Sequence, residues 1–308
     1  MIVGRNQYEI GEEVGSLTKL LEIKRYFDGR HSIEEIAGIT DVPIHDILRI
    51  VITFNRLGLL RKESTNSDIP TGAFIDQVAS SCCMWRRQIG FHQLFGKLER
   101  VEVRPEVFVG LILETYHYVR AATHHISTAI SHCGDPDMRS LLGQYLDQEH
   151  DHYELFIDAL GRMGLERDQV VAAHPIIGTM SLINILCEIG RQNTLAYIAC
   201  TSLIEARDED VEGAKETIQR MAILHGFDKS VVQPLVSHME GDVQAGHNSM
   251  LKKALARASS VNAKDAHCAV NCLHDLKHSF DQFHDQVLMY YSDISNYIPR
   301  LTVDYFSL

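Results

Sequence analysis

The sequence predicts a mainly α protein: a helical bundle over residues 73–308, a small winged-helix-like module over 1–65, and a linker at 66–72. Apolar residues recur every three or four positions along most of the chain, and Gly and Pro breakers cut that pattern into segments. No alternating run makes a convincing strand. The chain has 308 residues, 45% hydrophobic and 23% charged, ordinary for a globular protein. That composition excludes a disordered chain, a collagen and a coiled-coil rod.

The module comes first. Ser32-Ile33-Glu34-Glu35 has the Ser-x-x-Glu form of a capping box and opens a short helix, which Gly38 ends. Pro43 suits the first turn of a second helix, where its missing N–H would lack a partner anyway. Ile44, Ile47, Leu48, Val51, Phe54 and Leu57 follow as one apolar stripe. Gly58 stops this helix, and Leu59-Leu60-Arg61 starts an extended segment. Two short helices and a closing strand suggest a winged helix or helix-turn-helix. Charge argues against duplex DNA as its partner. Residues 1–63 hold nine Lys+Arg and ten Asp+Glu, whereas phosphate neutralisation needs a basic face.

The run Tyr26-Phe27-Asp28-Gly29-Arg30-His31-Ser32-Ile33-Glu34-Glu35-Ile36-Ala37, closing with Arg56-Leu57-Gly58-Leu59-Leu60, resembles the peptide-binding modules of the pyrroloquinoline-quinone peptide-chaperone type. True DNA-binding winged helices share the pattern. The chaperone resemblance implies a substrate peptide or carrier as partner, held by strand addition.

The polar stretch Lys62–Gly72 has linker composition. Beyond it, Pro105 opens a helix that runs to Cys133-Gly134. Asp135-Pro136 then supplies an N-cap and a first-turn proline for a helix reaching about Gly161. Further helices are expected over 177–206, 209–225 (closed by Gly226), 230–256 and 262–294. No internal repeat, low-complexity tract or Gly-rich phosphate loop appears.

No uncharged apolar run approaches the ~18 residues that cross a bilayer, and no basic-then-apolar secretory segment opens the chain. Seven Cys without framework spacing suit a reducing cytoplasm. Net charge is −12, and 17 His cluster with Glu and Asp.

Four helices carry these clusters: Glu114-x-x-His117, Glu149-x-x-His152, Glu205, and His238-x-x-x-Asp242 followed by His247. Residues three or four apart share one helix face, so each pair presents two ligand-type groups together. Facing helices build dinuclear iron or manganese sites from Glu and Glu-x-x-His, and oxygen-plus-imidazole ligation without thiolate favours those metals over structural zinc. Any one pair alone reads as a solvated surface pair. His150 and Asp151 face away from Glu149 and His152, and His117 packs beside Tyr116 and Tyr118. Glu205 ends the apolar stretch 196–204, where an unpaired carboxylate is costly.

Glu114-Thr-Tyr-His-Tyr-Val-Arg, Cys133-Gly-Asp-Pro-Asp-Met-Arg and Tyr145-Leu-Asp-Gln-Glu149-His-Asp-His152-Tyr-Glu-Leu-Phe-Ile-Asp-Ala-Leu-Gly161 resemble the haem-oxygenase-like di-iron oxidases and oxygenases. That superfamily also contains thiaminase II and the cofactor-free pyrroloquinoline-quinone synthase. The resemblance covers about 73–295 and implies a haem-oxygenase-like bundle with metal ligands Glu114, Glu149, His152, Glu205, His238 and Asp242. The family's final His would fall at Ala245. His247 lies five residues after Asp242, about 140° round an ideal helix, and reaches the site only if the helix is irregular there. Gly241 and Gly246 favour that irregularity. His247 therefore completes the expected set.

Other candidates read as peripheral. His125 is expected to line the pocket. His274 and His278, with Cys268 and Cys272, lack the knuckle of a zinc site, and Cys82-Cys83 are small buried hydrophobes. The function expected is an O2-activating non-haem di-iron oxidase or oxygenase, with two Fe2+ (or Mn) as cofactor and O2 as co-substrate. Its substrate would be an amino acid, a peptide-borne residue or a fatty-acid-like molecule in a biosynthetic pathway. A homodimer is expected, without nucleic-acid or membrane partners. The competing readings are a metal-free enzyme of thiaminase II or quinone-synthase type, a winged-helix regulator with a helical sensor domain, and a ferritin-like bundle. The last would want Glu-x-x-His on its second and fourth helices.

Overall fold

The computed structural model describes residues 16–57 and 67–302, the backbone of 2–3 and 6–7, and residues 60 and 306. Contacts divide the chain into two compact units, Met1–Ser67 and Asp68–Leu308.

The first unit pairs strands β1 (Ile2–Val3) and β2 (Asn6–Gln7) antiparallel and carries helices α1 (Leu17–Lys24), α2 (Ile33–Thr40) and α3 (Ile44–Arg56). The capping box forms as the sequence requires: Glu35 N donates to Ser32 Oγ (3.2 Å) and Ser32 N donates to Glu35 Oε2 (2.8 Å). The helix does not end at Gly38 but runs on to Thr40, where Asp41 takes a left-handed φ of 53°. Pro43 is the N-cap of α3, one position ahead of the first turn. The α3 stripe is also rotated from expectation. Ile47 and Ile50 join Leu20, Ile23 and Ile36 in the core, with Val51 and Phe54 packed against them. Ile44, Leu48 and Leu57 are exposed instead. The strand expected at 59–61 lies outside the described residues except for Leu60.

The second unit begins earlier than the expected linker end. Strand β3 (Ile69–Pro70) pairs antiparallel with β4 (Ser260–Val261), and helix α4 (Thr71–Gly90) starts at once, with Thr71 Oγ1 donating to Ala258 O (2.7 Å). Between these strands lie α5 (Gln93–Glu99), α6 (Pro105–Arg120), α7 (Ala122–His132), α8 (Pro136–Glu149), α9 (Tyr153–Arg162), α10 (Arg167–Ala172), α11 (Ile177–Gln192), α12 (Thr194–Ile204), α13 (Asp208–Leu224), α14 (Gln233–Ala245) and α15 (Met250–Ala254). The long α16 (Ala263–Ser292) closes the bundle. Asp135 accepts from Met138 N (2.9 Å), so the α8 cap read from Asp-Pro is formed.

Four of the expected long helices are interrupted, the one expected over 230–256 at Gly246, between α14 and α15. The first divides at Ala121 into α6 and α7, and the second at residues 150–152 into α8 and α9. The third divides at Asn193, whose φ of −156° leaves the helical region and whose side chain accepts from Ala196 N (2.8 Å). An Asn in that role caps a new helix. The helix it starts, α12, is apolar all round and buried, with Ala196–Thr201 and Leu203 inaccessible. It packs against α4, α11 and α16, as a helix without a polar face must.

Tyr291 near the end of α16 lies flat on Gly110 of α6. A Cβ at position 110 would stand 2.3 Å from Tyr291 Cγ. That approach lets the Tyr291 hydroxyl donate to Glu114 Oε1 (2.6 Å). Gly110→Ala should therefore lower stability by about 1–3 kcal/mol through overpacking. Denaturant unfolding checks this, and an unchanged midpoint contradicts the close approach.

Candidate metal centre

Six of the seven residues expected as ligands converge where α8, α12 and α14 end. Glu149 is the last residue of α8, and His152 immediately precedes α9. His152 Nδ1 stands 3.0 Å from Glu149 Oε2 and 3.5 Å from Asp242 Oδ1. Glu205 is the C-cap of α12, in extended backbone. Arg86 of α4 holds that terminus by donating to the carbonyls of Ser202 (2.8 Å), Leu203 (3.2 Å) and Glu205 (2.6 Å). His238 and Asp242 lie one turn apart on α14, with His238 Nδ1 3.2 Å from Asp242 Oδ2.

His247 reaches the cluster because α14 stops. Gly246 takes φ +68°, its N–H caps the Asp242 and Val243 carbonyls, and His247 begins a short 3-10 turn. Its Nδ1 is 3.0 Å from Glu149 Oε1, 3.2 Å from Glu205 Oε2 and 3.7 Å from Asp242 Oδ1. Gln148 Oε1 accepts from His247 Nε2 at 2.8 Å, so the other ring nitrogen is the one aimed at the carboxylates. The donors fall into two overlapping groups, Glu149–His152–His238 and Glu149–Glu205–Asp242–His247, with the atoms of each group within 4.8 Å of one another. Glu149 belongs to both.

Three buried carboxylates in one volume make this site electrostatically demanding. Burial, then the charges of Glu205 and Glu149, push the Asp242 carboxyl up. Burial also opposes ionisation of Glu149, but His152 and His247 overcome it and hold Glu149 below the usual carboxylate range. His247 is likewise raised, against its own burial, by Glu149 and Glu205. His238, pushed down to about 4 by burial, stays neutral. His238 Nε2 is sealed from solvent without a hydrogen-bond partner, and buried Glu149 Oε1, His152 Nδ1 and Asp242 Oδ1 meet only other members of the cluster, in ion-pair contacts of 3.0–3.7 Å. Inaccessible polar atoms without well-formed hydrogen bonds are costly, and a cation among the carboxylates would offset that cost.

Glu114 is the exception. It is fully buried, but its carboxylate accepts from Tyr291, from Thr179 Oγ1 (2.5 Å) and from Ile176 N (3.2 Å). Those last two groups lie at the α11 N-terminus, so Glu114 caps a helix end that favours negative charge. It belongs to neither donor group. The inward positions of α6 are instead Leu111, Ile112, Thr115, Tyr118 and Val119. His117 packs on Tyr116 (ring centroids 5.0 Å apart). His274 and His278 sit on an exposed face with Nε2 atoms 3.2 Å apart.

The cluster forms part of the wall of a cavity of about 1110 Å³ that is largely apolar, with Phe95, Phe108, Leu111, Ile112 and Phe156 among its lining residues. His125 lines it as expected and pairs with the Tyr197 hydroxyl (Nδ1–O 2.7 Å). Sequence reasoning missed Tyr145, which donates to Glu205 Oε1, together with Tyr118, Arg86 and Gln148. Nothing in their spacing marks them, since each acts across helices.

This architecture is haem-oxygenase-like. Residues 81–241 match the TENA/THI-4/PQQC family, and the chain belongs to it. Among solved structures, the fold is similar to a domain of unknown function with a heme oxygenase-like fold from Shewanella denitrificans (TM-score 0.59, 16% identity, 73% of this chain and 94% of that one). A TenA homologue from Pseudomonas syringae is also similar (0.53, 11%, 74% and 99%), as is one from Pyrococcus furiosus (0.51, 14%, 70% and 99%). A comparison with curated proteins found no match. No helix among the described residues is long and apolar enough to cross a membrane.

His247 is the cationic partner that three carboxylates share. Removing one partner of a buried ionic network costs about 3–5 kcal/mol. His247→Leu should therefore destabilise the metal-free protein at neutral pH by a cost of that order, measured by denaturant unfolding. A loss below about 1 kcal/mol would show that the carboxylates do not depend on this imidazole.

Proposed function

We propose that the cluster is a dinuclear carboxylate–histidine metal centre and that the protein is an O2-activating non-haem di-iron oxidase or oxygenase. The observation that carries this reading is the pair of donor groups sharing Glu149, packed so closely that buried Glu149 Oε1, His152 Nδ1 and Asp242 Oδ1 meet only other members of the cluster. Glu149, His152 and His238 would hold one ion, and Glu149, Glu205, Asp242 and His247 the other. Carboxylate oxygen and imidazole nitrogen without thiolate suit iron or manganese. Two ferrous ions, when bound, supply the electrons for dioxygen activation. The protein contributes the rest: Tyr145 and Gln148 orient Glu205 and His247, Arg86 fixes the α12 terminus, and the apolar cavity excludes water and holds the substrate. The cavity's size and apolar lining favour a substrate with a bulky apolar body, peptide-borne or fatty-acid-like. The first unit would recognise a peptide or carrier that delivers it.

A second reading keeps the cavity and drops the metal. Its support is the resemblance of the fold to TenA homologues. Against it, no cysteine lines the cavity among the described residues, so a thiol nucleophile is not at hand there.

Anaerobic Fe(II) titration of the full chain decides between them. About two irons per chain should bind, Glu149→Ala should abolish both, and Glu114→Gln should retain both. Exposure of the loaded protein to O2 should give an absorption transient. Stoichiometry near zero with no transient, or activity that survives chelation, favours the metal-free reading.

The Gln148 contact gives a finer check. Outer partners that orient a ligating His usually contribute 10–100-fold in metal affinity. Gln148→Leu should weaken iron binding about tenfold or more, and Gln148→Glu, which retains an acceptor, should recover most of it.

A further inference from the structure

A histidine far from the metal cluster is unexplained by the chemistry above. His284 of α16 is 5% exposed and forms part of the cavity wall. Its Nδ1 is sealed from solvent without a partner, and its Nε2 has no hydrogen bond among the described residues. Aromatic rings surround it: Phe95 at 4.9 Å, Phe283 at 5.1 Å and Phe280 at 6.3 Å between centroids. Phe280 in turn lies 6.0 Å from Tyr118, a cavity-lining ring within electrostatic reach of Glu205 and Glu149.

The adjacent His92 makes a useful contrast. Its Nδ1 accepts from Leu94 N (3.2 Å) and its Nε2 meets Asp285 Oδ1 (3.1 Å), so both nitrogens are engaged in capping α5 and tying it to α16. His284 does neither. An aromatic pocket of this kind would hold a phenyl ring at lower desolvation cost than an imidazole. The imidazole adds only hydrogen-bonding capacity on the wall of an apolar cavity.

We propose that His284 is a substrate-recognition residue, hydrogen-bonding a neutral polar group (an amide or a hydroxyl) that an otherwise apolar substrate carries away from its reacting end. Two features make that group neutral. Burial pushes the His284 imidazole down to about 3, so it is uncharged near neutral pH. The carboxylate that acts on His284 is that of Asp285, held by His92 and Gln93, and it disfavours an anion. The proposal rests on the cavity being the substrate site, as proposed above, and does not involve the metal.

Acetanilide and isobutylbenzene test it, being one skeleton with and without the amide. Both are titrated by ligand-observed NMR into the metal-free full chain as wild type, His284→Phe and His284→Gln. His284→Phe should weaken acetanilide about five- to tenfold, leave isobutylbenzene unchanged or tighter, and keep or raise the thermal midpoint. His284→Gln, which donates and accepts, should stay within about twofold of wild type for acetanilide. Equal weakening of both probes, a lowered midpoint in His284→Phe, or acetanilide that fails to bind wild type or ignores the substitution overturns the proposal. Iron stoichiometry in His284→Phe should match wild type. A protein that binds no iron yet shows the probe pattern removes the di-iron reading and leaves this one standing.

Discussion

Three carboxylates buried within one small volume repel one another unless positive charge is placed among them. Glu149, Glu205 and Asp242 are each at most 6% exposed, and at short range in a low-dielectric interior such repulsion is large. The Arg86 guanidinium, which reaches the Glu205 backbone, is committed to carbonyls there and to Asp210. The repulsion is relieved by imidazolium, by a bound ion, or by a proton on Asp242, whose carboxyl is pushed up to about 8 by burial and by Glu205 and Glu149. His247 meets all three carboxylates through one nitrogen, which is what a stand-in for a cation would do.

The same constraint accounts for where the helices stop. The helix expected over 136–161 breaks at 150–152, between Glu149 and His152, where the cluster lies. Glu205 sits beyond the last turn of α12 in extended backbone, and Gly246 ends α14 so that His247 swings back over Asp242. Helix ends leave backbone groups to be satisfied, and Arg86 does this for α12. Of the clustered side chains, Glu149, His152, Glu205, Asp242 and His247 thus lie at or just beyond helix ends, where side-chain direction is less bound to the helical stripe, while His238 lies within α14.

Much of this was legible in the chain. Spacings of i,i+3 and i,i+4 pointed to Glu149 beside His152 and His238 beside Asp242; the second contact follows from helical geometry, and the first forms across the break at 150–152. The apolar run before Glu205 marked a buried carboxylate. His247 was legible because Gly246 offered the left-handed residue that its spacing required. Glu114 was not. The cavity face of α6 runs through Leu111, Thr115, Tyr118 and Ala122, about a quarter turn from Glu114. Which face of an all-round buried helix turns inward is set by its neighbours, here Tyr291 and the α11 N-terminus, and no local pattern encodes that. The α3 stripe rotated for a related reason: Ile44 and Leu48 are as apolar as Ile50, and only packing against α1 and α2 decided between them.

The segment shared with the family ends at Gly241. It contains Glu149, His152, Glu205 and His238 but stops before Asp242 and His247. The first donor group therefore lies wholly within the common scaffold, while the second is completed by the end of α14 and the 3-10 turn after it. A fold that hosts several chemistries differs in its sites rather than its core. In this chain one carboxylate, one left-handed glycine and one histidine over six residues, Asp242 to His247, complete the second donor group beyond the matched segment.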